Sequence, residues 1–121
     1  MDDTKHPHAD TAEHINLSSI KNCLQKGDAK LALQYCHELL AGDPQHIQTL
    51  LFATLASRSL GWLDEALNFI NRALSQAPNQ PAMHSLMGDI LLLQQQPEQA
   101  LGALLQAREL GDGSSQNSFN I

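Results

Sequence analysis

The chain has few of the residues on which specialised binding sites depend. Its 121 residues include one Trp, one Tyr and three Phe, and seven Lys and Arg residues stand against thirteen Asp and Glu, which gives a formal charge of −6 at pH 7. The basic residues are scattered along the sequence, whereas phosphate binding requires concentrated positive charge. We therefore expect neither nucleic acid nor an anionic membrane as a partner.

Long hydrophobic runs are also missing. Apolar stretches such as Ile90–Leu93 are far shorter than the roughly 20 residues that cross a bilayer. Residues 1–8 contain no basic region followed by an apolar run, so they do not resemble a secretory signal. The expected protein is soluble and cytoplasmic.

No motif indicates catalysis, a cofactor or a metal. Cys23 and Cys36 lack the CxxC spacing and fall on inward-facing helix positions, so we interpret them as small buried residues; a disulfide between them would require an oxidising compartment. His6 and His8 form an HxH pair, but a structural metal site needs about four preorganised ligands. Cys36 and His37 point about 100° apart on a helix, a poor geometry for a nucleophile and its base. We expect a protein that is not an enzyme and has no cofactor.

The sequence does contain a period of 34 residues. Ala-Leu pairs, prolines and glycines each recur at this spacing: Ala32-Leu33, Ala66-Leu67 and Ala100-Leu101, then Pro44 and Pro78, then Gly27 and Gly61. A fixed period of about 34 residues is typical of stacked helix-turn-helix repeats. Apolar residues within each period follow helical spacing, so the pattern predicts six helices in three pairs.

The breaks between the first three helices have recognisable signals. Gly27 is expected to end the first helix, and the Asp28 carboxylate then caps the second. Asp43 and Pro44 predict the start of the third helix, with the aspartate as cap and the proline at the first helical position.

The later helices are predicted to begin near Leu63, Ala82 and Pro97, and Gly111 is expected to end the last one. Residues 14–111 then form the folded domain. Residues 1–13 and 112–121 are expected to be flexible tails because they are polar and lack helical periodicity.

The repeated unit resembles the tetratricopeptide repeat, in the frame 13–46, 47–80 and 81–114. Three positions of the family's second helix match in each repeat. The early small residue is Ala32, Ala66 and Ala100, and the following large apolar residue is Cys36, Ile70 and Leu104. The second small position holds Leu39, Ala73 and Ala107. The family's closing proline matches Pro44 and Pro78 but is Asp112 in the third repeat. The resemblance implies an all-α, right-handed α-solenoid of three repeats that acts as a protein-interaction scaffold of bacterial type.

The resemblance also implies a concave, partner-binding groove lined by the first helix of each repeat. Carried over to this chain, the groove positions are Leu17, Lys21, Leu24, Leu51, Leu55, Arg58, Ser85, Asp89 and Leu92. Members that bind a partner's C-terminal carboxylate use Lys, Asn and Arg at such places, but here only Lys21 and Arg58 are basic. We expect an extended or helical apolar peptide segment as ligand. The alternative is that several of these leucines pack between helices.

Two further features could form protein contacts. Trp62 occupies the place at which Asp28 caps the equivalent helix, so it either packs against the neighbouring helix or anchors a partner. Leu101, Leu104 and Leu105 on the last helix have no following helix to cover them. A homodimer, the C-terminal residues with Phe119, or a longer chain could cover them.

Two other functions are compatible with the resemblance. The chain could be the N-terminal recognition arm of a larger enzyme of the glycosyl- or sulfo-transferase type. It could also be a secretion-type chaperone, because acidic three-repeat proteins of this family include such chaperones.

Overall fold

The computed structural model describes residues 16–119, and the side chains of residues 16–111. The described residues form six α-helices, which we number in chain order: α1 (Leu17–Gln25), α2 (Ala29–Gly42), α3 (Ile47–Ser59), α4 (Leu63–Gln76), α5 (Pro81–Leu93) and α6 (Pro97–Phe119). Residues 16–119 contain no β-strand. Both predicted tails, 1–13 and 112–121, lie entirely outside the residues whose side chains are described, and with them lie His6, His8, Asp112 and Phe119.

The helices stack in the order of the sequence. Each helix packs against the next, and α1 also contacts α3, so three helix pairs follow one another. The main core extends from α1 to α5, and a second cluster of Leu91, Ala100 and Ala103 adjoins it, with Leu67 and Met87 packed against both. The three early small residues, Ala32, Ala66 and Ala100, are completely buried, as close helix crossings require. These observations confirm the predicted all-α solenoid of three helix-turn-helix repeats.

The turn inside each repeat has the same backbone geometry. Gly27 and Gly61 have φ of +82° and +80°, and Gln95 takes the equivalent place with φ of +62°. In each turn the residue after this position donates its N–H to the carbonyl of the residue five places before it. For example, the N–H of Asp28 donates to the carbonyl oxygen of Cys23 at 2.8 Å. This left-handed C-terminal turn favours glycine, and the third repeat forms it with Gln95 in the place of glycine.

The predicted cap of α2 is confirmed, and the predicted start of α3 is wrong. The Asp28 carboxylate caps α2 by accepting from the N–H of Leu31 at 3.3 Å. Asp43, however, ends α2, where its N–H donates to the carbonyl of Leu39 at 3.0 Å. His46 caps α3 instead, with its Nδ1 accepting from the N–H of Thr49 at 3.3 Å. Pro44 therefore lies in the connecting turn and not at the first helical position.

The predicted end of the last helix at Gly111 is also wrong, because α6 continues to Phe119. The only glycines with positive φ among the described residues are Gly27 and Gly61, so Gly111 does not form the left-handed turn that ends a helix. A β-carbon added at Gly111 would lie 3.9 Å from Cβ of Pro81, so this glycine lies where α6 passes the start of α5. The flexibility predicted for residues 112–121 stays a prediction.

Both cysteines are buried free thiols, as their inward-facing positions predicted. Burial, and secondarily the neighbouring Cys23, raises the pKa of Cys36 to about 12. The Cys36 thiol is therefore protonated at neutral pH, and a thiol is a much weaker nucleophile and metal ligand than a thiolate.

Ser57 introduces an uncompensated polar group into the core. Its side chain is completely buried, and its Oγ has no hydrogen-bond partner within the described part of the chain. One period away on either side, the equivalent positions hold Cys23 and Leu91. A buried hydroxyl without a partner lowers stability by about 1–3 kcal/mol.

We therefore expect Ser57→Ala to raise the free energy of unfolding by about 1 kcal/mol, because it removes the unpaired hydroxyl and little volume. Urea denaturation followed by far-UV circular dichroism measures the change. Ser75→Ala is the matched control, because the exposed Ser75 Oγ donates to the carbonyl of Arg72 at 2.8 Å and this change should alter stability by less than about 0.5 kcal/mol. A Ser57→Ala variant less stable than the wild type would contradict this account of the core.

Candidate functional site: the face of α1, α3 and α5

All nine predicted groove residues lie on α1, α3 and α5, the first helices of the three repeats. Their spacing follows the 34-residue period, so the stacking of the repeats places corresponding positions on successive helices. We call this set of nine residues the groove.

The apolar residues of the groove differ in how much of their surface is available. Leu17, Leu24 and Leu51 are half-buried and pack against the core. Leu55 is half-buried, and Leu92 is 49% exposed. The first three leucines thus have the packing role that was the alternative interpretation, while Leu55 and Leu92 are the apolar groups most able to contact a ligand.

The charged residues of the groove include an ion pair between repeats. Arg58 Nη1 lies 3.6 Å from Asp89 Oδ2, which joins α3 to α5. Both side chains reach solvent, with 33% and 56% of their surface exposed, so the pair contributes little to stability. It does pair the Arg58 guanidinium with a carboxylate, so Lys21 is the one groove cation that this ion pair does not involve.

Lys21 and Ser85 are exposed at the surface of α1 and α5. The repeat frame predicted that both lie in the groove, but it did not predict the pairing of Arg58 with Asp89. Opposite charges 31 residues apart on successive first helices were the available signal, but a pairing depends on side-chain conformation that spacing alone does not define.

The surface between α2 and α4 contains two pockets that the sequence analysis did not predict. Trp62, which is 43% exposed, forms a wall of the first pocket together with residues of α2 such as Lys30 and His37; its volume is about 510 Å³. The second has a volume of about 380 Å³ and is lined by residues of both helices, among them His37 and Phe69, whose ring centroids are 6.0 Å apart. Trp62 therefore borders a pocket beside α2, and its two interpretations, local packing and a partner contact, both stay predictions.

The three leucines of α6 do not behave alike. Leu101 and Leu105 are 57% and 46% exposed. Leu104 is half-buried and packs onto Gly88 of α5, where an added β-carbon would lie 2.6 Å from Leu104 Cγ. Leu104 is thus mainly an internal packing residue, and the uncovered apolar surface belongs to Leu101 and Leu105.

Among the described residues, no three His, Cys, Asp or Glu side chains come together as ligands for a metal ion. None of the described helices combines the length and the apolar character that crossing a membrane requires. The cytoplasmic location expected from the sequence stays a prediction.

Comparison with protein families gives one match, the model described as Tetratricopeptide repeat, over residues 24–90. The match begins in the last turn of α1 and ends within α5, so it spans the central helices of the stack. A comparison with curated protein sequences finds no significant match.

Solved structures with the same fold come from proteins of different kinds. MamA MSR-1 superposes with a TM-score of 0.74 and 22% identity, over 83% of this chain and 60% of the MamA chain. The Yersinia enterocolitica type III secretion translocator chaperone SycD gives 0.76 and 22%, over 84% and 70%. A Thermobaculum terrenum O-GlcNAc transferase mutant gives 0.75 and 24%, over 84% of this chain and 19% of the transferase. The chain thus spans about three fifths of the MamA chain, and identities this low show the fold alone.

Proposed function

Because the chain belongs to the tetratricopeptide repeat family, we propose that it is a protein-interaction module that binds an extended or helical apolar peptide segment along its groove. The observation that supports this most is the combination of the half-buried Leu55 and the exposed Leu92 with the Arg58–Asp89 ion pair. This combination favours an apolar ligand over a carboxylate. The module acts by holding its surface rigidly and performs no catalysis.

The rigid stack supports this mode of binding. Apolar groups held by packed helices lose little conformational freedom when a ligand arrives, so less of the binding free energy is spent on ordering the protein. A helical ligand would present apolar residues at three- and four-residue spacing, and an extended ligand would present alternate residues. Both kinds of segment bury apolar surface along a row of such side chains.

The test compares two adjacent leucines of α5. Leu92→Asp places a charge in the groove, and Leu93→Asp places the same charge on the next residue, which is 57% exposed and lies about 100° further around the helix. We expect Leu92→Asp to weaken partner capture at least about tenfold and Leu93→Asp to leave it within about twofold, as measured by affinity capture from native lysate with quantitative mass spectrometry.

Far-UV circular dichroism of both variants checks that the helices remain intact. Leu51→Asp is a poorer test, because Leu51 packs against the core and its replacement also disturbs folding. If both aspartate variants retain capture equally, the groove is not the binding surface and the proposal is wrong.

Two alternatives would use the same surface in a different context. The SycD chaperone among the similar structures favours the secretion-type chaperone, for which co-expression with a neighbouring secreted protein should increase the recovery of that protein. The transferase, of which the match spans only 19%, favours a recognition arm of a larger enzyme. A reading frame that extends beyond Ile121 into a catalytic domain would distinguish the arm from the chaperone.

A further inference from the structure

The outer side of α6 presents a short apolar stripe between two opposite charges. Leu101 and Leu105 are one helical turn apart and are both about half exposed. Glu98 and Arg108 lie one further turn away at either end of this stripe, and both are exposed. Residues three and four apart lie on the same side of a helix, so the four side chains form a continuous row.

The inner repeats show what a following repeat covers. Leu33, the first-repeat equivalent of Leu101, is 4% exposed. Leu67, the second-repeat equivalent, packs against Leu91 and Ala100 of the next repeat. A fourth repeat would therefore cover Leu101 in the ordinary way.

Leu105 differs from its equivalents. The same position holds His37 in the first repeat and Asn71 in the second, and both side chains are exposed although the next repeat is in place. A fourth repeat would thus leave Leu105 largely at the surface. An apolar side chain at this position indicates an occupant that lies along α6 itself and covers Leu101 and Leu105 together.

We propose that this occupant is the α6 of a second copy of the chain, packed antiparallel across a two-fold axis near Ala103. Leu101 and Leu105 are each two residues from position 103, and Glu98 and Arg108 are each five residues from it. An antiparallel pairing centred there places each Leu101 against Leu105 of the second copy and each Glu98 against Arg108 of the second copy. The stripe is therefore complementary to itself in both shape and charge.

A parallel pairing has no such complementarity, because it would bring the two Glu98 carboxylates together and the two Arg108 guanidinium groups together. A contact made by single helices is smaller than a typical stable interface. Association is therefore expected to depend on protein concentration. The pairing uses α6 and leaves the groove on α1, α3 and α5 available, so it is independent of the proposed function.

Sedimentation velocity of the full chain over a concentration series tests the pairing. We expect the wild type to shift from monomer to dimer at concentrations below about 1 mM, and Leu105→Glu to raise the dissociation constant at least about tenfold. Gln106→Glu is the matched control, because it adds the same charge to the adjacent exposed residue about 100° around the helix and should leave dimerisation within about twofold. Far-UV circular dichroism confirms that both variants keep the helical content of the wild type.

A charge exchange tests the register. Glu98→Arg alone and Arg108→Glu alone each bring like charges together at both ends of the stripe, so each should raise the dissociation constant about tenfold. An equimolar mixture of the two variants restores opposite charges at both ends and should dimerise like the wild type.

Three results would overturn the proposal. If the wild type stays monomeric throughout the series, a longer chain or a different protein covers the stripe instead of a second copy. A dimer unaffected by Leu105→Glu would use another surface. A mixture of the charge variants that associates no better than either variant alone would exclude the antiparallel register.

Discussion

Truncation of Ile70 to alanine should lower the free energy of unfolding by about 2–5 kcal/mol. Ile70 is completely buried in α4, the second helix of the central repeat, and α4 packs against both α3 and α5. The truncation therefore removes contacts within the central repeat and weakens its interface with the third. Because the repeats of a solenoid are stabilised by their neighbours, a cavity in the central repeat also weakens the support of both terminal repeats.

Urea denaturation followed by circular dichroism measures this loss. Leu93→Ala is the matched control, since Leu93 is 57% exposed and its truncation should change stability by less than about 0.5 kcal/mol. A reduced m-value for Ile70→Ala would indicate that the terminal repeats no longer unfold together with the centre. If Ile70→Ala proved no more harmful than Leu93→Ala, the central core described above would be wrong.

Two glycines of the third repeat should respond to alanine in opposite directions. A β-carbon at Gly88 would lie 2.6 Å from Leu104 Cγ, so α6 would have to shift or the leucine would have to change rotamer. Such overpacking lowers stability by about 1–3 kcal/mol and outweighs the gain in helix preference of about 1 kcal/mol. Gly88→Ala should therefore lower the free energy of unfolding by up to about 2 kcal/mol.

Gly102 of α6 is exposed, and a β-carbon there would meet no atom within 4 Å. Gly102→Ala should raise stability by about 0.5–1 kcal/mol, because only the helix preference changes. Both variants are compared by urea denaturation at a concentration at which the wild type is monomeric. In a Leu104→Ala background, Gly88→Ala should no longer destabilise; a persisting loss would show that Leu104 is not the group that the new methyl contacts.

The period of 34 residues was sufficient to predict the fold, and the same period explains how the helix pairs fit. Position 88 holds Gly against Leu104, whereas the equivalent positions hold Thr54 with Ile70 and Ile20 with Cys36. The largest of the first-helix residues, Ile20, thus accompanies the smallest of the second-helix residues, Cys36, and the smallest, Gly88, accompanies a leucine. The sequence identified Leu104 as the large apolar position of its repeat, but it did not connect Leu104 with Gly88, because their contact is visible only once the helices are packed.

The wrong start of the third helix has a physical reason. Asp followed by Pro is a good helix-start signal only when a helix follows at once, and here the backbone of Asp43 is still occupied in ending α2. The third repeat shows the correct start, because Pro81 begins α5 while Pro78 precedes it in the turn. One period before Pro81 lies Ile47, where α3 begins. The period located this boundary better than the local motif did.

The groove was less predictable from the sequence than the fold was. The resemblance placed nine groove residues on the correct helices, because that placement follows from the repeat frame. Which of the groove leucines pack against the core and which lie at the surface could be determined only from the packed structure. The two pockets between α2 and α4 also depend on how adjacent repeats meet, which no local pattern records.

The contact between Arg58 and Asp89 has a consequence for the solution conditions under which the groove binds best. The apolar segment of the proposed function would lie across α3 and α5 beside these two charges, and dissolved ions weaken the attraction of a charged ligand to either of them. We therefore expect capture of the apolar segment to persist as salt is added, whereas capture of a charged ligand would weaken.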